Sequence, residues 1–280
     1  WDMVAFDSSS RYIFVPCENF GAGGGLFRYD TQTRTHVTIW HGDSAGRNPD
    51  PSTFNPATDD TVANDPCTWT PWNTIIFGEE ATGGRFFECT NPLSPTGPFN
   101  IVWHTKIPGL SHEGMRFDAN GNLYIIDEDN SGCIYKFVPT VPGDLSNGQT
   151  FVLSVDAYAA SPNAAPNESW NSTTNRLNTR TGQATWVAMT DANGVALTTT
   201  NPFVWVTAAS GRAAADELVG TPYGRPEDLD IKTLANGRQA IFVATTSENT
   251  VYSIELVSST TAMVRTFVTS TRSTCSPAKT

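Results

Sequence analysis

Carboxylates recur in this chain at one place in a repeated phrase, and carboxylates gathered at one point are the ligands a hard cation requires. Asp2 opens Asp2-Met-Val-Ala-Phe-Asp7 and Asp65 opens Asp65-Pro-Cys-Thr-Trp-Thr70. Glu113 opens Glu113-Gly-Met-Arg-Phe-Asp118, and Glu227 opens Glu227-Asp-Leu-Asp-Ile231. Each phrase runs on into an apolar strand that ends in further acids: Glu18, the pair Glu79-Glu80, the run Asp127-Glu128-Asp129, and Glu248. Four carboxylates converging on one axis repel and raise one another's pKa unless a cation joins them. Oxygen ligands in that number suit Ca2+, so Asp2, Asp65, Glu113 and Glu227 are the primary metal candidates. The competing reading has them capping turns or pairing with Arg116 and Arg225. Recurrence at one position of a repeat favours the metal. In the second set the two readings stand level, with Glu79 and Glu80 the best candidates.

Other residue types narrow the chemistry. Cys67 lies two residues beyond Asp65, on the same face of an extended segment. A thiolate there would take iron or zinc rather than calcium, although a buried thiol or half of a disulfide is its more ordinary role. Arg85 stands where the other repeats carry Leu26, Ile134 and Val251, and Arg116 and Arg225 flank the two glutamates. Arg85 and Arg225 are therefore candidates for clamping a phosphate or carboxylate, against the alternative that they neutralise the acids. His36, His41 and His104 fall on outer strands, and only His112, next to Glu113, is expected at the mouth. The chain has no Gly-x-Ser-x-Gly elbow, P-loop or His-Glu-x-x-His, which removes support for serine hydrolases, nucleotide hydrolases and zincins.

The elements that must carry these residues are short strands. After each acid-bearing pair come a third strand (Leu26–Tyr29, Arg85–Glu88, Cys133–Phe137, Val251–Glu255) and a fourth (Val37–Trp40, Ile101–Trp103, Phe151–Val155, Met263–Val268). Four antiparallel strands per unit is the composition of a propeller blade. The expected fold is thus an all-β propeller of four-stranded antiparallel blades in a single domain over residues 1–280, with 269–280 a polar tail. The gap between the third and fourth phrases is about two blades long, so a degenerate blade is predicted there, with Ala184–Met189 and Pro202–Val206 as its strands. That makes five blades, or six if a long insert folds as an extra one. Residues 42–65 and 161–182 read as loops, the second polar enough to be mobile. The chain is expected to start on an innermost strand and end on an outermost one, leaving edges available for self-association.

Composition sets the outer limits. A net charge of -11 argues against a nucleic-acid surface and favours cations as partners. No stretch approaches the roughly 20 apolar residues that span a bilayer. Two sequons, Asn167-Glu-Ser169 and Asn171-Ser-Thr173, are predicted glycosylation sites in a secretory pathway. Five cysteines leave at least one unpaired, with Cys275 placed to pin the tail. The expected location is secreted, extracellular or periplasmic.

Particular phrases also resemble a family. Thr70-Pro-Trp-Asn-Thr74 running into Glu79-Glu80, Gly132-Cys-Ile-Tyr-Lys-Phe137, Ala184-Thr-Trp-Val187 and Gly224-Arg-Pro-Glu-Asp228 are similar, in order, to motifs of the PhoX family of bacterial alkaline phosphatases. The resemblance implies a propeller whose axial site holds calcium and iron and hydrolyses phosphate esters. Carried over, Glu79, Glu80, Glu113 and Glu227 would be metal-site carboxylates, and Cys67 the nearest candidate for an iron-binding cysteine. The chain departs from the pattern in length, in Asn73 for a glycine, and in lacking a Gly-Gly spacing between Cys67 and the Thr-Pro-Trp phrase. The expected function is a secreted metal-dependent phosphoesterase acting on a phosphate ester or other small anion. The alternatives are a non-enzymatic calcium-stabilised propeller for adhesion or filament assembly, and a calcium-dependent hydrolase of the gluconolactonase type.

Overall fold

The computed structural model describes residues 3–21, 23–43 and 46–270; Asp2 and Cys275 lie outside them. Within them the chain folds as antiparallel β-meanders. The first comprises β1 (Ala5–Phe6), β2 (Tyr12–Cys17), β3 (Gly25–Asp30) and β4 (Thr35–His41), a separate sheet paired in sequence order. The second comprises β5 (Asn64–Trp69), β6 (Ile75–Gly84), β7 (Phe86–Cys89) and β8 (Ile101–Trp103). The third comprises β9 (Leu110–Phe117), β10 (Leu123–Asp127), β11 (Ile134–Val141) and β12 (Asp144–Val155). After a one-turn helix α1 (Asp156–Ala159) and the single strand β13 (Gly182–Ala188) comes the fourth: β14 (Pro226–Thr233), β15 (Gln239–Thr245), β16 (Thr250–Leu256) and β17 (Thr261–Thr269).

The aspartate that ends the phrase has a local task in two of the units. Asp7 Oδ1 accepts the Tyr12 amide at 2.8 Å, and Asp118 Oδ1 accepts the amides of Asn120 and Asn122 at 2.8 and 2.9 Å. These carboxylates replace backbone partners in the turn between the first two strands and fix where the second begins. Apolar residues then alternate so that neighbouring meanders pack face to face. Phe14, Leu26 and Trp40 of the first meander join Phe77, Phe87 and Trp103 of the second in one buried cluster, with Phe14 stacked on Trp69 at 5.4 Å. Each such side chain removed from water contributes about 1.5–3 kcal/mol. Similar clusters join the third meander to its neighbours on either side.

The segment between the third and fourth meanders differs from the sequence expectation. Residues 184–188 form a strand, but β13 pairs with β12 on one side and β17 on the other, joining two outer edges instead of starting a blade. Pro202–Val206 is not a strand. Its carbonyls at Pro202 and Val204 accept Ser210 Oγ at 2.9 and 2.7 Å, at the start of a helix, α2 (Ser210–Glu217), that the sequence reading does not contain. The polar stretch 161–182 is tied down by Asn175, whose amide donates to the carbonyls of Ala165, Glu168 and Ser169 and accepts from Tyr158 Oη. Cys17, Cys67, Cys89 and Cys133 are all free thiols. No helix among the described residues is long and apolar enough to cross a membrane.

Candidate metal centre

Strand β6 divides the acids by its pleat. Glu79 and Glu80 are adjacent, so their side chains leave opposite faces. Glu79 faces a fully buried guanidinium: Arg85 Nε donates to Glu79 Oε2 at 3.0 Å and Arg85 Nη2 to Glu79 Oε1 at 2.7 Å. Arg47 Nη1 adds a contact to Glu79 Oε2 at 3.2 Å. Burial opposes ionisation of Glu79, but the Arg85 charge and hydrogen bonds overcome it and hold the carboxyl below its usual range. Arg85 has no exposed surface, lies over the Phe87 and Trp103 rings, and spends further donors on the Asp60 and Asn48 carbonyls. The geometry therefore removes Arg85 from the anion-clamp role and Glu79 from the ligand set: they are each other's buried partners.

Glu80 faces the other way, into a cluster of carboxylates. One oxygen each from Glu80, Glu113 and Glu128 lie within 4.8 Å of one another, and the same holds for Glu18, Asp65 and Glu80. Glu80 belongs to both groups. Five acids, on or just beyond the five strands β2, β5, β6, β9 and β10, thus meet at one mouth, including three, Glu18, Glu80 and Glu128, that the sequence placed in its second set. Glu113 is only 3 % exposed, and its Oε2 has no hydrogen-bond partner. Burial and the charges of Asp65, Glu128, Glu80 and Glu227 push its carboxyl up to about 11. Burial, with Glu128 as hydrogen-bond partner and like charge, raises Glu80 to about 9. Burial also disfavours ionised Glu128, but its hydrogen bonds to Glu80 and Arg225 keep it below the normal range.

Glu227 borders this mouth. Strands β9 and β14 touch at Gly114, where a Cβ would lie 2.6 Å from the Leu229 amide, so only glycine lets the two acid-bearing strands meet. Glu113, Arg116, Glu227, Asp228, Met3 and Val4 line a cavity of about 200 Å³ beside them. Glu227 Oε1 accepts Thr246 Oγ1 at 2.7 Å and approaches Arg225 at 3.3 Å. Arg225 also pairs with Glu128, and its side chain stays 48 % exposed at the mouth. Its backbone has φ 49°, held by a 3.0 Å bond from its amide to the Asp129 carbonyl.

Two further candidates lie elsewhere. Cys67 is buried, its Sγ 3.6 Å from the Met3 carbonyl and 3.7 Å from that of Phe14, and burial pushes the thiol up to about 12. It is a protonated donor to backbone, which is the more ordinary of its two readings and not the thiolate ligand. His112 does not reach the mouth either: its Nε2 meets the Gly84 carbonyl at 3.2 Å, its ring packs edge-on to Phe86, and burial lowers its pKa to about 4. Asn167 and Asn171, the sequon asparagines, are both exposed.

Comparison with known proteins gives the chain a family. The sequence model of the family described as alkaline phosphatase PhoX matches residues 90–265, a span that carries Glu113, Glu128, Arg225 and Glu227. No curated protein matches the chain.

Proposed function

Because the chain belongs to the alkaline phosphatase PhoX family, we propose that it is a secreted metal-dependent phosphoesterase whose cation is held by Glu80, Glu113 and Glu128. In this reading the meanders are blades of a β-propeller, and their innermost strands β1, β5, β9 and β14 surround the site. The carrying observation is Glu113 Oε2, a buried carboxylate oxygen without a partner and aimed among other acids. Buried polar atoms are almost always satisfied, and a hard cation would satisfy this one.

The donor set is all oxygen, which fits Ca2+. Asp65, Glu18 and Glu227 stand next to the three central acids and would complete or adjust the shell. Iron through Cys67 does not fit, since its thiol is protonated and turned to two carbonyls. A bound Ca2+ supplies a Lewis acid for phosphoryl oxygens. The chain's own contribution is electrostatic. Arg225 presents a half-exposed guanidinium to an incoming phosphate ester, oriented by Glu128 and Glu227, and would offset charge on the transferring group. Arg116 lines the adjacent cavity with donors already turned to Thr68 Oγ1 and the Met115 carbonyl. Exposed sequons at Asn167 and Asn171 and a calcium-type site suit an extracellular setting.

Hydrolysis of p-nitrophenyl phosphate by the purified protein, with elemental analysis before and after EGTA, tests this reading. Chelation is expected to abolish turnover and Ca2+ to restore it, with Glu113→Gln inactive under both conditions. Turnover indifferent to chelator would overturn it. Bound calcium without turnover would point instead to a calcium-stabilised extracellular propeller without catalysis.

A further inference from the structure

The run Asp127-Glu128-Asp129 places three carboxylates in sequence where the mouth takes one. Asp127 ends β10 and Asp129 lies in the bend beyond it, with Glu128 between them. Both aspartates meet a single side chain, Arg212 of α2. Arg212 Nε donates to Asp127 Oδ2 at 2.6 Å and Nη2 to Asp127 Oδ1 at 2.9 Å, while Nη1 lies 2.9 Å from Asp129 Oδ2. Asp127 is fully buried. The helix that brings the arginine is itself seated on β9: Gly211 N donates to the Gly109 carbonyl at 3.1 Å, and a Cβ on Gly211 would lie 2.5 Å from Leu110.

The contacts continue into the acid cluster. Asp127 Oδ1 also accepts the Ser111 amide at 2.9 Å, and the Glu128 amide donates back to the Ser111 carbonyl at 2.9 Å. Ser111 is the residue that β9 sets opposite Glu80 of β6. The Asp129 carbonyl takes the Arg225 amide. One guanidinium thus fixes the turn from which Glu128 projects, its register against Glu80, and the backbone of Arg225. It also neutralises two carboxylates that would otherwise repel the third.

We propose that Arg212 is a positioning residue for the cation site: by binding Asp127 and Asp129 it selects which acid of the run faces Glu80 and Glu113. The proposal rests on the reading of that cluster as a cation site and adds a residue that touches neither cation nor substrate. A lysine offers a point charge in place of a planar fork and cannot hold both aspartates in the same geometry. Substitutions behind metal ligands typically cost 10–100-fold in affinity.

Calcium titration of the full chain by calorimetry, paired with the melting temperature in EGTA, decides it. Arg212→Lys is expected to bind Ca2+ about tenfold more weakly than the unsubstituted protein. Asp129→Asn, which keeps the buried Arg212–Asp127 pair, is expected to weaken binding by about threefold, a part of that same effect. Arg238→Gln, which removes a half-exposed guanidinium from the buried Glu255 of β16, should leave affinity unchanged and serves as the control for general destabilisation. Unaltered affinity in Arg212→Lys and Asp129→Asn, with calcium bound normally by the unsubstituted chain, would overturn the positioning role and leave the site reading intact. If Arg212→Lys does not fold, Asp129→Asn alone carries the decision. An unsubstituted chain that binds no Ca2+ would sink the site reading and this inference with it.

Discussion

Glu79 and Glu80 are consecutive residues of the same strand, yet they sit in opposite electrostatic worlds. Glu79 is enclosed with Arg85 and Arg47, each of its oxygens answered by a guanidinium. Glu80 is surrounded by Glu18, Asp65, Glu113 and Glu128, with Arg225 reaching the group only through Glu128 and Glu227. A carboxylate alone is not a site. What separates a structural acid from a ligand here is whether the fold supplies its countercharge or leaves that to something from solution.

The largest effect should come from breaking the closed side. Arg85→Met leaves the buried Glu79 with only the longer Arg47 contact and is expected to cost about 3–5 kcal/mol in urea unfolding, with no gain or loss specific to calcium. On the open side the sign reverses. Glu113→Gln removes a carboxyl that burial and four neighbouring acids disfavour, so the metal-free protein should melt roughly 2–4 °C higher while losing its calcium-induced stabilisation. The two substitutions together separate fold from ligand.

A pH series sharpens the same contrast. Glu80 and Glu113 are raised from 4.5 to about 9 and about 11, so the folded metal-free protein holds protons that the unfolded chain has released. Their contribution is fully present below pH 4.5 and is lost as pH rises toward those values. Melting temperatures at acidic and mildly alkaline pH should therefore show a larger gain from Ca2+ on the alkaline side. Calorimetry in buffers of different ionisation enthalpy should register proton release on binding. A calcium gain independent of pH would mean that the acids are already ionised and compensated. The smallest effect is assigned to Cys67→Ser: the hydroxyl can donate to one of the two carbonyls, Met3 or Phe14, that the thiol now faces, stability falls by about 1 kcal/mol, and calcium affinity does not move.

Much of the strand plan was legible because it is local. All four third strands and all four fourth strands read from alternation appear as β3, β7, β11, β16 and β4, β8, β12, β17. Asp65 and Glu113 are singled out by their place in the repeat, and each lies in a group with Glu80, a residue of the second set, where the two readings stand level. Asp2 falls outside the described residues. For Arg85 the geometry favours the second of its two readings: a charge at a core-type position looks functional, whereas its partner lies six residues back on the adjoining strand. Alternation along Asp127-Glu128-Asp129 could have singled out Glu128, and Arg212 explains why, but that contact spans 85 positions and has no local trace. The same distance hid β13, whose strand character was visible and whose partners were not.

Strand β13 has a consequence for how the molecule opens. By sharing one ladder with β12 and another with β17, it joins the third and fourth meanders, the β6–β9 pairing adds the second, and the first keeps a sheet of its own. Amide exchange should divide accordingly, the three later meanders protecting together and the first releasing earlier. Glu113, Glu128 and Glu227 all belong to the joined block, whereas Glu18 hangs on the independent sheet. A breathing motion of the first meander would swing Glu18 away and uncover Asp65 while the inner acids stay fixed, giving an ion a way in and out that leaves the rest of the fold closed.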